Sequence, residues 1–275
     1  MQSLNICLCN GLCNRLRSLY SHYNYCLANN LNMNIYNIPT DYCIEDFSKY
    51  FVFPKNISFI CEKYEEDNFL RKWRSDNKSL QNLVVSGGFV GSGVSSPHSN
   101  KKSDHAYDGH KNNIYSELKF SEEITSKVIN EKYIAVHVRR TDIGSLSRAK
   151  DTLENPYYYN FIDSHDSNLK IYIATDNNNT LSEFKEKYGS RIISNNSFDK
   201  KFGVRHTSVR DTIIDIFMCM QSTFFLGTRH SSMTDLIYQY RYFVLKNNNA
   251  SELETATSES YKSLHLDEDN NPPIR

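Results

Sequence analysis

From residue 133 onward the chain alternates short apolar runs with amphipathic stretches, and this alternation constrains its fold more than any other feature. Residues 133–138, 170–174, 191–194, 223–227 and 242–245 read as strands. Between them lie four helical stretches: one opened by Pro156 at its first position, 180–188 closed by Gly189, 207–221, and 231–240. Strands that alternate with helices imply a parallel sheet covered by helices on both faces. In such sheets ligands gather at the carboxyl ends of the strands, so the polar residues placed there are the ones that bear on function.

The beginning of the chain follows the same plan. Residues 5–9 read as a strand, Asn10-Gly11 as a break, and Leu12, Leu16, Leu19, Tyr23, Cys26, Leu27 and Leu31 recur at helical spacing. A second strand over 35–38 ends at Pro39, which completes the start of a β-α-β unit. Residues 40–82 mix charged and aromatic side chains and read as short helices and loops, followed by a strand over 83–86. Gly87, Gly88, Gly91 and Gly93 then open a long loop, and their spacing is not that of a dinucleotide fingerprint. Ser121 is placed to cap a helix reaching about residue 130, with Glu122 and Glu123 in its first turn. The expected organisation is an N-terminal half over 1–125, a C-terminal half over 126–246, and a polar tail over 247–275 expected to be disordered.

Composition removes several functions. The 32 basic and 32 acidic residues cancel, which argues against a general nucleic-acid binder. No apolar run approaches the ~20 residues of a spanning helix; the run over 213–220 is broken by Asp215. No basic segment followed by an apolar stretch opens the chain, and seven cysteines is an odd number, so reduced thiols and a cytoplasmic setting are expected. Cys7, Cys9 and Cys13 cluster but lack a second pair, and read as small buried side chains. His98, His105 and His110 lack metal-ligand spacing, so neither metal nor cofactor is expected.

The first strand of the C-terminal half runs straight into Arg139, Arg140, Thr141 and Asp142. Strand alternation puts His137 and Arg139 on one face and Arg140 on the other. Arginine grips phosphate with two parallel hydrogen bonds. A His and an Arg at a strand end can hold a diphosphate with part of a base or ribose, or they can belong to a structural ion-pair cluster. Asp142 is placed to orient Arg139 or the turn. Asp176 ends the next strand and suits either a hydroxyl or arginine partner or a cap for the helix that follows. Asp211 and Asp215 lie one helical turn apart, with Arg210 beside them. Asp215 interrupts an apolar stretch, so it is expected to be at least partly buried and in need of a partner: a guanine edge, Arg205 or Arg210. Thr228, Arg229, His230, Ser231 and Ser232 follow Gly227 into a helix, the arrangement of an anion site or of a plain N-cap.

Four blocks of this chain, in order, resemble those of fucosyltransferases. Gly11-Leu-Cys-Asn-Arg-Leu16 looks like their G-x-x-N-R opening, and His137-Val-Arg-Arg-Thr-Asp142 like their H-x-R-R-x-D motif. Tyr172-Ile-Ala-Thr-Asp176 and residues 205–240 are similar to the later blocks of the α1,6-fucosyltransferases and the rhizobial nodulation enzymes. The resemblance covers about 130–245 and the first 30 residues, and residues 40–120 find no match. It implies a GT-B-like α/β fold of two Rossmann-like halves facing a cleft, the donor GDP-fucose held in the C-terminal half, and metal-independent, inverting transfer to a hydroxyl of a glycan acceptor. By position, Arg139 would neutralise the β-phosphate, with Asp142 beside it in the catalytic pair. His137 and Asp215 would hold guanosine, and Ser231 or Ser232 the diphosphate. Asp176, Arg205 and Arg210 would complete the donor side, while Asn14 and Arg15 would face acceptor and sugar from the other half. The chain departs from the α1,6 pattern at Ile143 and Ser147, where that class carries Lys and Glu. The general base is therefore open among Asp142, Asp151, Glu154, Asp41, Glu45 and Asp46. Another nucleotide sugar as donor, or binding without turnover, are the alternatives.

Overall fold

The computed structural model describes residues 2–8, 10–37, 39–40, 42–60, 83–86, 114–141, 154–202, 206–228 and 231–246. The loop after residue 86 and the tail from 247 lie outside these residues, as do Cys9 and Cys61. The chain divides into two compact units, 1–119 and 120–275.

The first unit opens with β1 (Ser3–Leu8), α1 (Leu12–Ala28) and β2 (Asn32–Asn37), and adds β3 (Ile57–Ile60) and β4 (Leu83–Ser86). All four strands are parallel, in the order β3-β2-β1-β4. The break after β1 is made by Asn10, whose φ of 69° is left-handed; Asn tolerates this region better than most residues. Leu16, Leu19 and Cys26 of α1 are fully buried, with Ile6 and Ile35 of the sheet. The helix stops earlier than its apolar pattern suggests. Leu27, counted on the stripe, is 52% exposed, and Leu31 lies past the helix with its amide bonded to the Cys26 carbonyl. Strand β3 falls within a region read as helices and loops. Its Phe59 joins Phe47 and Phe53 in an aromatic cluster, with ring centres 6.0 and 4.5 Å away, and this packing holds a short strand that local pattern alone left ambiguous.

The second unit runs α2 (Glu122–Thr125), β5 (Tyr133–Val138), α3 (Asn155–Asp163), β6 (Lys170–Thr175), α4 (Asn178–Tyr188), β7 (Ile192–Ile193), α5 (Val209–Gln221), β8 (Phe224–Leu226) and α6 (Ser232–Phe243). Its parallel sheet has the order β7-β6-β5-β8. Local chemistry sets the helix starts: the Asn177 side chain accepts from the Thr180 amide (2.9 Å), and Ser208 Oγ from the Asp211 amide (2.9 Å). The sheet carries helices on both faces. Tyr133 and His137 reach α5 and α6 from one face, at Met218 and Thr234, while Arg140 reaches Asn155 of α3 from the other.

Two expectations change. The helix after Ser121 is a single turn, α2, and Ser121 makes no side-chain cap. Residues 242–245 form no strand, because α6 continues through Phe243. The aromatic and β-branched run there favours a strand locally. Arg241 overrides it: fully buried, its guanidinium donates to the carbonyls of Met220 (3.0 Å), Ser222 (2.6 Å) and Thr223 (3.2 Å), which locks α6 against the end of α5. No helix among the described residues is long and apolar enough to cross a membrane. Cys7, Cys13, Cys26, Cys43 and Cys219 are buried.

Candidate functional site

In the second unit, β6 and β7 build outward from one side of β5 while β8 lies on its other side. Such a reversal of strand order opens a crevice beyond the strand ends. Here β8 stops at Leu226, opposite Val136, and β5 runs on for two residues. A side chain bridges the step. The buried Thr228 Oγ1 donates to the His137 carbonyl (2.8 Å), accepts from the Arg139 amide (2.9 Å), and lies 3.0 Å from Tyr158 Oη of α3.

The β6 side holds the same turn. Thr175 Oγ1 donates to the Val138 carbonyl (2.6 Å). Asp176 Oδ1 accepts the amides of Arg140 (2.8 Å) and Thr141 (3.3 Å), and Thr141 Oγ1 donates to the Asp176 carbonyl (2.7 Å). The helix-cap role open to Asp176 falls instead to Asn177. The three residues after β5 are thus fixed from both neighbouring strands.

The side chains diverge as alternation requires. His137 is buried with Nδ1 2.9 Å from Thr234 Oγ1, in the first turn of α6. Gly227 makes this approach possible: a Cβ there would stand 2.3 Å from Thr234 Cγ2. Arg140 donates to Asn155 Oδ1 (2.8 Å), and its guanidinium lies 5.8 Å from the centre of the Tyr158 ring. Asn155 in turn bonds Glu183 of α4. Ser231 occupies the N-cap position of α6 and is buried, but its hydroxyl makes no capping bond; Ser232 is the first helical residue. His137, Arg139 and Asp176 thus meet at the carboxyl end of β5, and the His137–Thr234 contact brings the first turn of α6 beside it.

Two predicted residues stand apart from this cluster. Arg210 pairs with Glu123 at a solvent-exposed position. Asp215 is buried in the sheet–helix interface and accepts from Tyr172 Oη (2.7 Å); Tyr172 sits opposite Ala135, in the interior of the sheet. Burial pushes the Asp215 carboxyl up to about 8, against the hydrogen bonds from Tyr172 and Asn196, which favours its protonated form. Asp211 accepts instead from Asn195 and Ser197, each at 3.1 Å. Asp142, Arg205, Arg229 and His230 lie outside the described residues, as do Asp41, Asp151, Ile143, Ser147 and the loop histidines.

In the first unit Asn14 is half-buried in the first turn of α1, and Arg15 is fully buried. Its guanidinium donates to the Asn10 carbonyl (2.8 Å), Asn37 Oδ1 (2.6 Å) and Thr40 Oγ1 (3.0 Å), which ties together the ends of β1 and β2. Among the other base candidates, Asp46 accepts from the Ser48 amide and hydroxyl (2.9 Å each), and Glu154 is the exposed N-cap residue of α3. The described residues hold no group of three His, Cys, Asp or Glu that fits a metal ion.

Sequence reasoning missed Tyr158 and Asn155, and read Thr228 only as one of several hydroxyls. The Tyr157-Tyr158-Tyr159 run holds the signal, since only one of three successive tyrosines on a helix can face the sheet.

No protein-family model matches the chain. The fold itself is that of GT-B glycosyltransferases, with two Rossmann-like parallel-sheet units in one chain. Among solved structures, NodZ α-1,6-fucosyltransferase soaked with GDP-fucose is 13% identical, aligning over 90% of this chain and 97% of its own with a TM-score of 0.53. NodZ from Bradyrhizobium is also 13% identical, over 86% of this chain and 92% of its own, at a TM-score of 0.51. POFUT1 in complex with GDP-fucose is 9% identical, over 87% and 95% of the two chains, at a TM-score of 0.50.

Proposed function

We propose that this chain is a glycosyltransferase that moves fucose from GDP-fucose to a hydroxyl of a glycan acceptor, with inversion at the sugar carbon. One observation carries the reading: Arg139 sits at the reversal point of a Rossmann-like sheet, on a turn pinned from both neighbouring strands, beside the start of a twelve-residue helix. The fold shared with solved structures that hold GDP-fucose supports the choice of donor.

The chemistry follows from charge. As the sugar–phosphate bond breaks, negative charge collects on the β-phosphate and positive charge on the fucosyl carbon. Arg139 and the first-turn amides of α6 meet the phosphate charge, and no resident metal is needed for that task. His137 and Ser231 line the same crevice and hold the nucleotide. The acceptor hydroxyl attacks the opposite face and gives its proton to a carboxylate, one of Asp142, Asp151, Glu154, Asp41, Glu45 and Asp46. A pre-organised donor of this kind is worth about 100- to 1000-fold in rate.

The test is release of GDP from GDP-fucose with a panel of glycan acceptors, for wild type and Arg139→Ala. Turnover with GDP-fucose, reduced at least about 100-fold in the variant, is the expected result. Turnover with a UDP-sugar or GDP-mannose instead would remove fucose from the reading, and tight GDP binding with no turnover on any donor would remove catalysis.

A further inference from the structure

We infer that Thr228 and Tyr158 are positioning residues for Arg139, acting through its backbone rather than by touching the nucleotide. The inference rests on the donor-site reading above. A threonine hydroxyl has one proton and two acceptor positions. Thr228 gives its proton to the His137 carbonyl and accepts from the Arg139 amide. The remaining partner, Tyr158 Oη at 3.0 Å, must therefore be the donor, and all three positions of the hydroxyl are filled. Tyr158 is fully buried in α3, and its ring also lies beneath the Arg140 guanidinium.

This arrangement replaces two rungs of the sheet. Strand β8 has ended, yet the carbonyl of His137 and the amide of Arg139 are bonded as though it continued. Asp176 holds the next two amides, those of Arg140 and Thr141, from the other side, so the backbone is pinned on both flanks of Arg139. The device fixes the backbone that carries Arg139, at a point where the ladder of β8 has already ended.

Selectivity between product and substrate supplies the test. Free GDP carries more negative charge on its β-phosphate than GDP-fucose does, so a well-placed Arg139 favours GDP. Calorimetric titration of both nucleotides would be made on wild type, Thr228→Val, Thr228→Ser, Tyr158→Phe and Arg139→Ala. Thr228→Val keeps shape and loses the hydroxyl. It is expected to weaken GDP by about tenfold and GDP-fucose by less than about threefold. Arg139→Ala is expected to move the ratio in the same direction, Thr228→Ser to restore it, and Tyr158→Phe to shift it less than Thr228→Val. Because Tyr158→Phe retains the ring over Arg140, it carries the test if Thr228→Val does not fold. An unchanged ratio in the Thr228→Val and Tyr158→Phe proteins, with wild type binding both nucleotides, would overturn the inference and leave the donor site standing. Wild type that binds neither nucleotide would overturn both.

Discussion

Asp215 shows how a single buried acid couples stability to pH. Its folded-state value near 8 lies above the ordinary value of 3.8, because burial penalises the charge more than Tyr172 and Asn196 favour it. The native chain therefore holds a proton that the unfolded chain releases between about pH 4 and 8. Its stabilising contribution is complete below pH 4 and is lost as pH rises through 8, a change of about 6 kcal/mol across the window. Asp215→Asn keeps an acceptor for Tyr172 and removes the titration. Denaturant unfolding is expected to show a difference between variant and wild type that grows in the variant's favour from pH 5 to pH 8.5; a constant difference would contradict the assignment. The burial of Asp215 was legible in the sequence, since it interrupts an apolar run. Its partner was not: Tyr172 lies 43 residues away, and only the packing of β6 under α5 brings the two together.

At the scale of elements, Gly227 decides how closely α6 can approach the sheet. A methyl group at this position meets the Thr234 side chain at 2.3 to 2.9 Å, so Gly227→Ala is expected to displace Thr234 and disturb its bond to His137. Thermal unfolding of this variant is expected to show a loss of about 1–3 kcal/mol, with nucleotide binding weakened as well. Unchanged stability and binding would mean that the helix start is not fixed by this contact. The alternation of strands and helices from residue 133 was legible because each element carries its own period. The end of α6 was not, because Tyr242, Phe243 and Val244 favour a strand until Arg241 anchors them to the carbonyls that end α5. Strand β3 was hidden for the same kind of reason, its four residues being held by rings from a neighbouring loop.

For the whole molecule, the two units share one plan, a four-stranded parallel sheet in which the first strand lies between the second and the fourth. Their responses to pH run in opposite directions. In the first unit, burial lowers His22 of α1 from 6.5 to about 4, with its Nδ1 2.7 Å from the Ser18 carbonyl. The unfolded chain then takes up the proton first, so this stabilising contribution is full above pH 6.5 and falls by about 3 kcal/mol as pH drops through 4. Hydrogen exchange corrected for its intrinsic pH dependence is expected to show α1 losing protection from pH 7 to 5, and α5 losing it from pH 5 to 8. Parallel changes in the two helices would contradict the separate assignments. The positions of His137, Arg139 and Ser231 at strand ends and a helix start followed from periodicity alone. The burial of Arg15 did not, because Asn37 and Thr40 become its neighbours only when β2 pairs with β1.

The proposed nucleotide-sugar site is built around Arg139 at the end of β5. Thermal unfolding of wild type and Arg139→Ala, each with and without GDP-fucose, tests it most directly. At 100 times the dissociation constant, the ligand is expected to add about 2.7 kcal/mol to the wild type. The variant, at the same concentration, is expected to gain little. Equal stabilisation of the two proteins would place the nucleotide away from Arg139, and stabilisation of neither would leave the strand-end cluster as a structural clamp with no donor to hold.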